Sequence, residues 1–400
     1  MTKTIRSLMF VLLATSLLLA ACGTPAAVTP VTVVETQLVE TVVTATPDAS
    51  QPTALPAGSV QINGAGATFP LPVYTAWTYA YQYVDPAVVL NYQGIGSGGG
   101  KKGIIDGTID FAGSDSLLKD PDEYTAGKDL QMYPMLAGAV AVIYNFKPAK
   151  DYPTDATFKA PVLVLDRQTL VDIYNGKVNT WNDPAIVALN PDLKDYLPSA
   201  KITAVHRSDG SGTTEIFTKA LTSFSPDWTA GGASAVEWPV DKAGNGVGGK
   251  GNQGVAASVI NTANSIGYVE LSFAISNGLS YASVVNKAGK TVVPNAASVE
   301  SAMNDFATAF TPKLTATIVD GAGADSYPIT GYTYLILHTT SMKDCVKAQK
   351  ILEFFKWAET DASAQSRVVK LGFSPLPAAD SKLMLDAFTK VSCNGAPVLK

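Results

Sequence analysis

Histidine, cysteine and charged side chains are scarce in this chain of 400 residues, which narrows the chemistry it can perform. The sequence contains two histidines, His206 and His338, and three cysteines, and charged residues make up 16% of it. A Ser–His triad or a histidine-rich metal site has little material here, so we expect no catalytic residue, no metal and no cofactor. The net charge of −5 and the absence of a basic stripe in the sequence argue against a nucleic-acid partner.

Residues 1–21 have the pattern of a secretory signal peptide. Lys3 and Arg6 precede an apolar run that ends near Leu19 and is too short for a permanent membrane-spanning helix. The segment closes with Leu-Ala-Ala-Cys-Gly at positions 19–23, which resembles a bacterial lipobox. This resemblance implies that Cys22 becomes the acylated first residue of the exported protein. The alternative is a soluble secreted protein in which this cysteine is incidental.

Residues 22–58 are rich in Thr, Val, Ala and Pro and show no sustained hydrophobic period. Prolines from Pro25 to Pro56 discourage both a helix and a central strand, although the run Val31–Val34 alone would suit a strand. We interpret the segment as an extended tether, held to the membrane through Cys22. Its role would be to extend the folded part away from the bilayer, toward a membrane partner. The predicted location is the outer face of the cytoplasmic membrane or the periplasm.

The most informative stretch is Val-His-Arg-Ser-Asp-Gly-Ser-Gly-Thr-Thr at residues 205–214. It lies between a predicted strand over 202–205 and a predicted helix that continues from about Glu215. The first N–H groups of a helix have no partner within the helix, and the helix dipole places a partial positive charge there. Glycine lets an anion approach the backbone, and hydroxyls add donors. The stretch therefore suits an oxyanion, although Ser211 alone would more often be a plain helix cap.

Two similar turns lie upstream. Gly64–Pro70 follows a short strand over 60–62 and precedes a predicted helix from Leu71 to about Tyr83, with Thr68 as its expected cap. Gly94–Lys102 follows a strand over 88–92 and precedes Ile104 and Ile105. Three Gly/Ser/Thr-rich turns, each ahead of a helix, indicate that several helix N-termini converge on one anion.

Other glycine motifs fit less well. The segment Gly94–Gly99 matches the dinucleotide fingerprint G-x-G-x-x-G, but no clean second strand that ends in a ribose-binding acid follows it. The same segment is one residue short of a P-loop, and Lys102 stands where Ser or Thr is needed. Ser97 and Ser211 do not match the nucleophile elbow G-x-S-x-G, because Ile95 and Asp209 replace its first glycine.

On these turns the chain resembles the periplasmic phosphate-binding proteins of ABC phosphate importers. The resemblance covers most of the chain after about residue 60 and runs through residues 64–70, 91–100, 110–115, 206–214, 248–256 and 265–270. It implies an α/β fold of the two-lobed periplasmic-binding-protein type (type II-like), with the ligand cleft between the lobes. Two crossover strands would run through 133–144 and 327–337. Lobe 1 would then comprise residues 59–142 and 329–400, and lobe 2 residues 143–328.

The function that the resemblance implies is that of a monomeric, lipid-anchored receptor. It would close on inorganic phosphate and deliver it to the permease subunits of an ABC importer. The alternative from another class is an exported phosphatase-like hydrolase that uses the same phosphate cradle. The sequence argues against it, because no nucleophile is paired with a base and no His and Asp metal cluster is evident.

The resemblance also implies a phosphate-binding set, in which Arg207 offers its guanidinium fork to two oxygens and Asp209 holds that guanidinium in place. Hydroxyl and backbone donors complete the set from the three turns. His206, beside Arg207, is interpreted as a supporting residue, and His338 as a core or edge residue. The full predicted set is Thr68, Phe69, Ser97, Asp115, Arg207, Ser211, Gly212 and Thr213.

Asp115 is the residue that would select the anion. A carboxylate beside a dianion is repulsive unless the ligand has a proton to donate, and near pH 7 phosphate has one whereas sulfate does not. We therefore expect Asp115 to accept the phosphate O–H and to disfavour sulfate or molybdate. The alternative is a carboxylate that caps a helix or loop. The local sequence departs from the family pattern, since Ala112 and Gly113 stand in swapped order and Ser116 and Leu117 replace a small residue and a proline.

Cys345 and Cys393 remain once Cys22 is assigned to the lipid. An even pair in an oxidising exterior favours a disulfide. The alternative is two buried free thiols.

Overall fold

The computed structural model describes residues 58–155, 157–307 and 309–399. The predicted signal peptide, the lipidation site Cys22 and the tether up to residue 57 lie outside the described residues. The described residues belong to one compact unit, Leu55–Lys400. Strands and helices alternate along most of it, so the predicted α/β class is confirmed.

The strands are β1 (Val60–Gly66), β2 (Val88–Gly94), β3 (Phe111–Ser114), β4 (Leu130–Asn145), β5 (Val164–Leu165), β6 (Thr203–Arg207), β7 (Gly246–Gly249), β8 (Ser265–Glu270), β9 (Ser280–Tyr281), β10 (Ser283–Val285), β11 (Thr291–Val292), β12 (Thr330–His338), β13 (Ser374–Pro375), β14 (Ser392–Cys393) and β15 (Ala396–Pro397). The helices are α1 (Leu71–Tyr81), α2 (Ser97–Ile105), α3 (Asp122–Gly127), α4 (Arg167–Tyr174), α5 (Pro184–Leu189), α6 (Gly212–Phe224), α7 (Pro239–Lys242), α8 (Gly251–Asn261), α9 (Leu271–Ser276), α10 (Ala296–Asp305), α11 (Cys345–Thr360), α12 (Ala362–Lys370) and α13 (Ala378–Phe388), with a short 3₁₀ turn at Pro191–Leu193.

A long sheet organises these elements, in the order β2-β1-β3-β12-β4-β8-β6-β7. We call β1, β2 and β3 the first half-sheet and β6, β7 and β8 the second half-sheet. Strand β4 belongs to both, because it pairs with β12 from Leu130 to Ala139 and with β8 from Val140 to Asn145. Its residues 132–143 are all buried, as expected for a strand that is covered on both faces. Strands β4 and β12 therefore link the two halves, as expected of the crossover strands.

The topology brings the Gly-rich turns to one place. Strands β1 and β2 are parallel, as are β6 and β7. Each of these four strands ends in a turn that leads directly into a helix, namely α1, α2, α6 and α8. In open α/β sheets, ligands bind outside the carboxyl ends of the strands. The turns from both half-sheets are positioned for that role.

One predicted helix begins earlier than expected, and one predicted helix cap needs correction. Helix α6 begins at Gly212, with Ser211 as its N-cap, and not at about Glu215. Helix α1 begins at Leu71 with Pro70 at the N-cap position and no side-chain cap. The expectation that Thr68 caps this helix was therefore wrong. Its Oγ1 instead accepts hydrogen bonds from Asn252, which lies in the second half of the fold.

A β-bulge interrupts the pairing of β4 with β12. Thr333 lies opposite Leu136, whereas the next residue, Tyr334, lies opposite Pro134, so Met135 has no partner in the register. Proline has no N–H to give to a ladder and is tolerated at such bulges. A bulge also redirects side chains locally. Thr333, at this irregularity, reaches Asp115 with its hydroxyl.

The structure joins Cys345, the first residue of α11, to Cys393 in the C-terminal hairpin of β14 and β15. The two sulfurs lie 1.95 Å apart and the two Cα atoms 5.5 Å apart. The bridge fastens the end of the described chain to a long helix that packs on β1 and α12. It closes a loop with a sequence separation of 48.

We predict that changing both cysteines to alanine lowers the free energy of unfolding by up to about 4 kcal/mol, because an open loop of this length gives the unfolded chain more entropy. Chemical denaturation of the wild type and the double variant measures the difference. In denaturant, the full chain with unmodified Cys22 should show one reactive thiol, and a Cys22→Ser control none. Three reactive thiols in the wild type would contradict the bridge.

Candidate anion site

The predicted site residues meet where the turns of the two half-sheets face one another. The fold brings together residues from the turn after β1, the start of α2, the end of β3 and the turn between β6 and α6. All of them are buried: Thr68, Phe69, Ser97, Asp115, Arg207, Ser211, Gly212 and Thr213. Polar side chains buried in this way need hydrogen-bond partners. Those partners define what the site can do.

Arg207, the last residue of β6, is held by Asp209. Its Nε donates to Asp209 Oδ1 at 2.8 Å and its Nη2 to Asp209 Oδ2 at 2.6 Å, a two-point contact that fixes the guanidinium plane. Asp209 Oδ1 also accepts the backbone N–H of Gly251, at 3.0 Å. Burial raises the pKa of Asp209, but the hydrogen bonds and charge of Arg207 outweigh it and leave that pKa below its ordinary value. The Nη1 group of Arg207 makes a long contact of 3.5 Å to Thr213 and is directed away from Asp209.

Ser97 joins the two halves at the first residue of α2. Its hydroxyl oxygen accepts the N–H of Asp115 at 3.2 Å and the N–H of Gly212 at 3.0 Å. The second bond connects the first half-sheet to the second, because Gly212 follows β6. The contact requires glycine at 212, because an added Cβ would collide with Asp115. Beside it, Gly98 N–H donates to Gly210 O at 3.0 Å, so the two turns also touch backbone to backbone.

The remaining predicted donors come from helix starts. Ser211 caps α6, since its Oγ accepts the N–H of Thr214 at 3.1 Å, and its own hydroxyl hydrogen stays available for another acceptor. The predicted role of Phe69 rests on its backbone N–H. Its ring packs against Phe373 in the first half of the fold, with the ring centroids 5.7 Å apart.

Asp115 follows β3 and faces both halves of the site. Thr333 Oγ1 donates to its Oδ1 at 2.8 Å, and Ser97 Oγ lies 3.5 Å from its Oδ2. Burial raises the pKa of Asp115, and hydrogen bonds from Thr333 and Ser97 together with the charge of Arg207 act in the opposite direction. The net result is a pKa raised from 3.8 to about 7. Asp115 is thus a buried carboxyl group that changes charge close to neutral pH.

Several partners of the site were not identified from the sequence. Asn252 bonds to Thr68 and Thr213, and Thr333 bonds to Asp115. Tyr268 donates to or accepts from Thr214 at 2.7 Å and accepts the N–H of Arg207 at 3.2 Å. Local motifs could not reveal these contacts, because each one depends on a strand or helix that is distant in the chain.

The histidines lie outside this cluster. His206 Nε2 is 2.8 Å from Asp241 Oδ1, its Nδ1 is 3.0 Å from the carbonyl oxygen of Arg207, and its ring stacks on Trp238. His338, at the end of β12, bonds to Asp129 and to the carbonyl of Ile104. Within the part of the chain that the structure describes, no group of three or more His, Cys, Asp or Glu side chains is arranged to hold a metal ion.

Most of this chain is similar in sequence to known proteins. The family model for the PBP superfamily domain matches residues 46–361. The phosphate-binding protein PstS of Xylella fastidiosa (strain Temecula1) is 38% identical over 331 residues, 82% of this chain and 84% of that protein. PstS of Pasteurella multocida (strain Pm70) is 37% identical over 81% of this chain and 88% of that protein. PstS of Methanocaldococcus jannaschii is 34% identical over 83% and 87%.

Solved structures resemble the fold as well. A high-affinity periplasmic phosphate-binding protein, PfluDING, bound with phosphate, aligns with a TM-score of 0.64 at 23% identity and covers 84% of this chain and 96% of its own. A phosphate-binding protein from Stenotrophomonas maltophilia aligns with a TM-score of 0.61 at 19% identity, over 84% and 97%. The predicted two-lobed periplasmic-binding-protein fold is confirmed.

We predict that Asp115→Asn removes a pH dependence of stability. The folded protein holds the Asp115 proton up to about pH 7, whereas the unfolded chain releases it near 3.8. Stability is therefore lost as the pH rises from about 4 to about 7, by up to about 4 kcal/mol for three pKa units. The advantage of the variant over the wild type in urea unfolding, measured in anion-free buffer, should grow across that window.

The exposed Asp325→Asn serves as the control, because it removes a carboxyl group from the surface and not from the buried site. A flat difference for Asp115→Asn would show that Asp115 is ionised throughout this range.

Proposed function

The chain belongs to the PBP superfamily and, within it, to the phosphate-binding proteins, and on that basis we propose that it is an exported receptor for inorganic phosphate that serves an ABC importer. The observation that carries the proposal is the buried cluster of Arg207, Thr68 and Thr213 beside Asp115. It offers cationic and hydroxyl donors from both half-sheets together with one carboxyl group. Phosphate needs both kinds of partner, because hydrogen phosphate accepts at its oxygens and donates from its O–H.

We infer the phosphate contacts from the hydrogen-bonding capacity that the site residues do not use among themselves. We assign Nη1 and the second hydrogen of Nη2 of Arg207 to the anion, because Nε and one hydrogen of Nη2 are occupied by Asp209. Hydroxyls of Thr68, Ser97, Ser211 and Thr213 add donors, and the backbone at Phe69 and Gly212 supplies N–H groups. The N–H of Gly212 donates to Ser97 in the structure and would be shared with the ligand.

Asp115 would supply the selectivity. Thr333 donates to its Oδ1 at 2.8 Å and Ser97 makes only a long contact of 3.5 Å to its Oδ2, so Oδ2 can accept the phosphate O–H. Sulfate has no proton to offer at neutral pH, so its oxygens would face a carboxylate without a hydrogen between them. When Asp115 takes up a proton below about pH 7, it becomes a hydrogen-bond donor and no longer repels sulfate.

A phosphatase-like activity from the same cradle is not supported. The homologous proteins are binding proteins. Both nitrogens of His206 are engaged with Asp241 and with the backbone of Arg207, so this histidine does not pair with Ser97 or Ser211 as a general base. We therefore infer that the protein binds its anion and does not transform it.

We propose that the protein acts as a monomer whose two lobes, 59–142 with 329–400 and 143–328, close around phosphate and open at the permease. The change of partner of β4 from β12 to β8 supports a boundary in this strand. Contacts such as Ser97 with Gly212 and Gly98 with Gly210 join the two sides and would break on opening. A ligand that touches both sides favours the closed form.

Attachment to the membrane is proposed to occur through a lipid on Cys22. No helix among residues 58–155, 157–307 and 309–399 is long and apolar enough to cross a membrane. The lipobox at residues 19–23 supports the lipid, and the Thr/Val/Pro-rich segment 22–58 would act as the tether. The receptor would then work at the outer face of the cytoplasmic membrane or in the periplasm.

We predict that phosphate raises the melting temperature of the wild type at pH 8 and that sulfate at equal ionic strength does not. A ligand at about a hundred times its Kd adds roughly 2.7 kcal/mol to the free energy of unfolding, which corresponds to a shift of several degrees. Sulfate should begin to stabilise the wild type as the pH falls below about 7, whereas Asp115→Asn should respond to sulfate at both values. Thermal unfolding at pH 8 and pH 5.5 provides the measurement.

Arg207→Ala is the matched loss-of-binding control and should abolish the response to either anion. If phosphate does not stabilise the wild type, the receptor proposal fails. If sulfate and phosphate act equally at pH 8, only the assignment of Asp115 is wrong.

We predict that Cys22→Ser releases the protein from membranes. Stable anchoring needs acyl chains that insert into the bilayer, and the serine variant cannot carry them through a thioether. After expression in a bacterium that processes lipoproteins, the wild type should partition into the detergent phase and the variant into the aqueous phase. Cys393→Ser should partition like the wild type, and an anchored Cys22→Ser protein would exclude this cysteine as the attachment point.

A further inference from the structure

The side chain of Asn252 contacts two predicted site residues and the backbone of a third residue. Asn252 is the second residue of α8 and is fully buried. Its Nδ2 lies 3.0 Å from Thr68 Oγ1 and 3.1 Å from Thr213 Oγ1, and its backbone N–H donates to Thr68 Oγ1 at 3.1 Å. Its Oδ1 accepts the N–H of Glu270 at 3.2 Å. Because that N–H can only donate, the orientation of the carboxamide is determined.

We propose that Asn252 is a positioning residue that aims the hydroxyl hydrogens of Thr68 and Thr213 at the bound anion. A threonine hydroxyl has one hydrogen and two acceptor lone pairs. Thr68 Oγ1 receives two N–H groups from Asn252, so both of its lone pairs are occupied. Its single hydrogen must therefore point to another acceptor. The proposal rests on the receptor function, since an anion oxygen is that acceptor.

The hydroxyl group of Thr213 is also surrounded by donors. Its Oγ1 accepts from Asn252 Nδ2 and lies 3.5 Å from Arg207 Nη1, which is also a donor. Neither neighbour can take the hydroxyl hydrogen. Both hydroxyls therefore face the site as donors when the halves are together, and a pre-aimed donor binds an anion more tightly than a freely rotating one.

Asn252 also bridges the two halves of the fold. Thr68 follows β1 of the first half-sheet, whereas Thr213 and Asn252 follow β6 and β7 of the second. One carboxamide can hold both hydroxyls only while the halves are together. It therefore stabilises the closed arrangement, and its loss should act mainly on the rate at which phosphate leaves.

The test measures phosphate affinity and dissociation rate of the full-length protein, for the wild type, Asn252→Asp and the matched control Asn190→Asp. The aspartate at 252 keeps an acceptor for Glu270 but loses both amide hydrogens. We expect the affinity at pH 8 to fall about tenfold to a hundredfold, the loss typical of misaligned donors to a charged ligand, with a larger koff and little change in kon. As the pH falls to about 6, the affinity relative to the wild type should partly recover, because a protonated carboxyl regains one donor.

Asn190 is a buried carboxamide with the same pattern of two donated bonds and one accepted bond, made to Val164 and Ile186 and not to any predicted site residue. Its aspartate variant should lose stability and keep wild-type affinity. A purely structural role for Asn252 would make the two variants alike.

A double-mutant cycle keeps the proposal testable if Asn252→Asp does not fold. Asn252→Ala and Thr68→Val should each weaken phosphate binding, and together they should weaken it by less than the product of the single effects, because the amide acts through the hydroxyl. If the wild type binds phosphate and either Asn252 variant binds equally well, this inference alone is overturned. If the wild type does not bind phosphate, the receptor function and the inference fall together.

Discussion

The antiparallel pairing of β4 with β12 is the contact on which the rest of the structure depends. Each half-sheet is attached to this pair, β3 along β12 and β8 along the second part of β4. The bulge at Met135 lies beside Thr333, whose hydroxyl holds Asp115. The strands that carry the chain between the halves thus also orient the acidic group of the site. A change in their register would move the carboxyl group together with the half-sheets.

Around this pair, the site is assembled from the ends of parallel strands, and its charges are held in place by other groups of the protein. Arg207 is fixed by Asp209, which is itself held by the N–H of Gly251. A guanidinium held at two points loses little further freedom when it binds a ligand. On our proposal, the fixed donors on one side and Asp115 on the other would make the site sensitive to whether an anion carries a proton.

Much of this arrangement could be predicted from short-range patterns, because each strand–turn–helix unit is encoded locally. The turns at 64–70, 94–102 and 205–214 do follow strands and precede helices. Residues that act across the fold could not be found in this way. Asn252 lies in the stretch 248–256 that resembles the family and Thr333 in a predicted crossover strand, but neither pattern gives a role, because their contacts arise only when α8 and β12 pack against distant turns. Thr68 was assigned to a cap for the same reason, since its partner lies 184 residues away.

The site also shows why a binding protein can contain groups that oppose its own folding. Burial raises the pKa of Asp115, and it raises the pKa of Glu270 well above its ordinary value, with Asp115 nearby adding to the effect. Two such carboxyl groups in a core would be eliminated if stability alone were favoured. Glu270 instead caps α9 through the N–H of Ser272, and its own N–H fixes Asn252. The backbone of Glu270 thus holds the carboxamide that we propose aims two hydroxyls at the anion. On the same proposal, binding a proton-carrying anion would offset part of what the ionised Asp115 costs the fold.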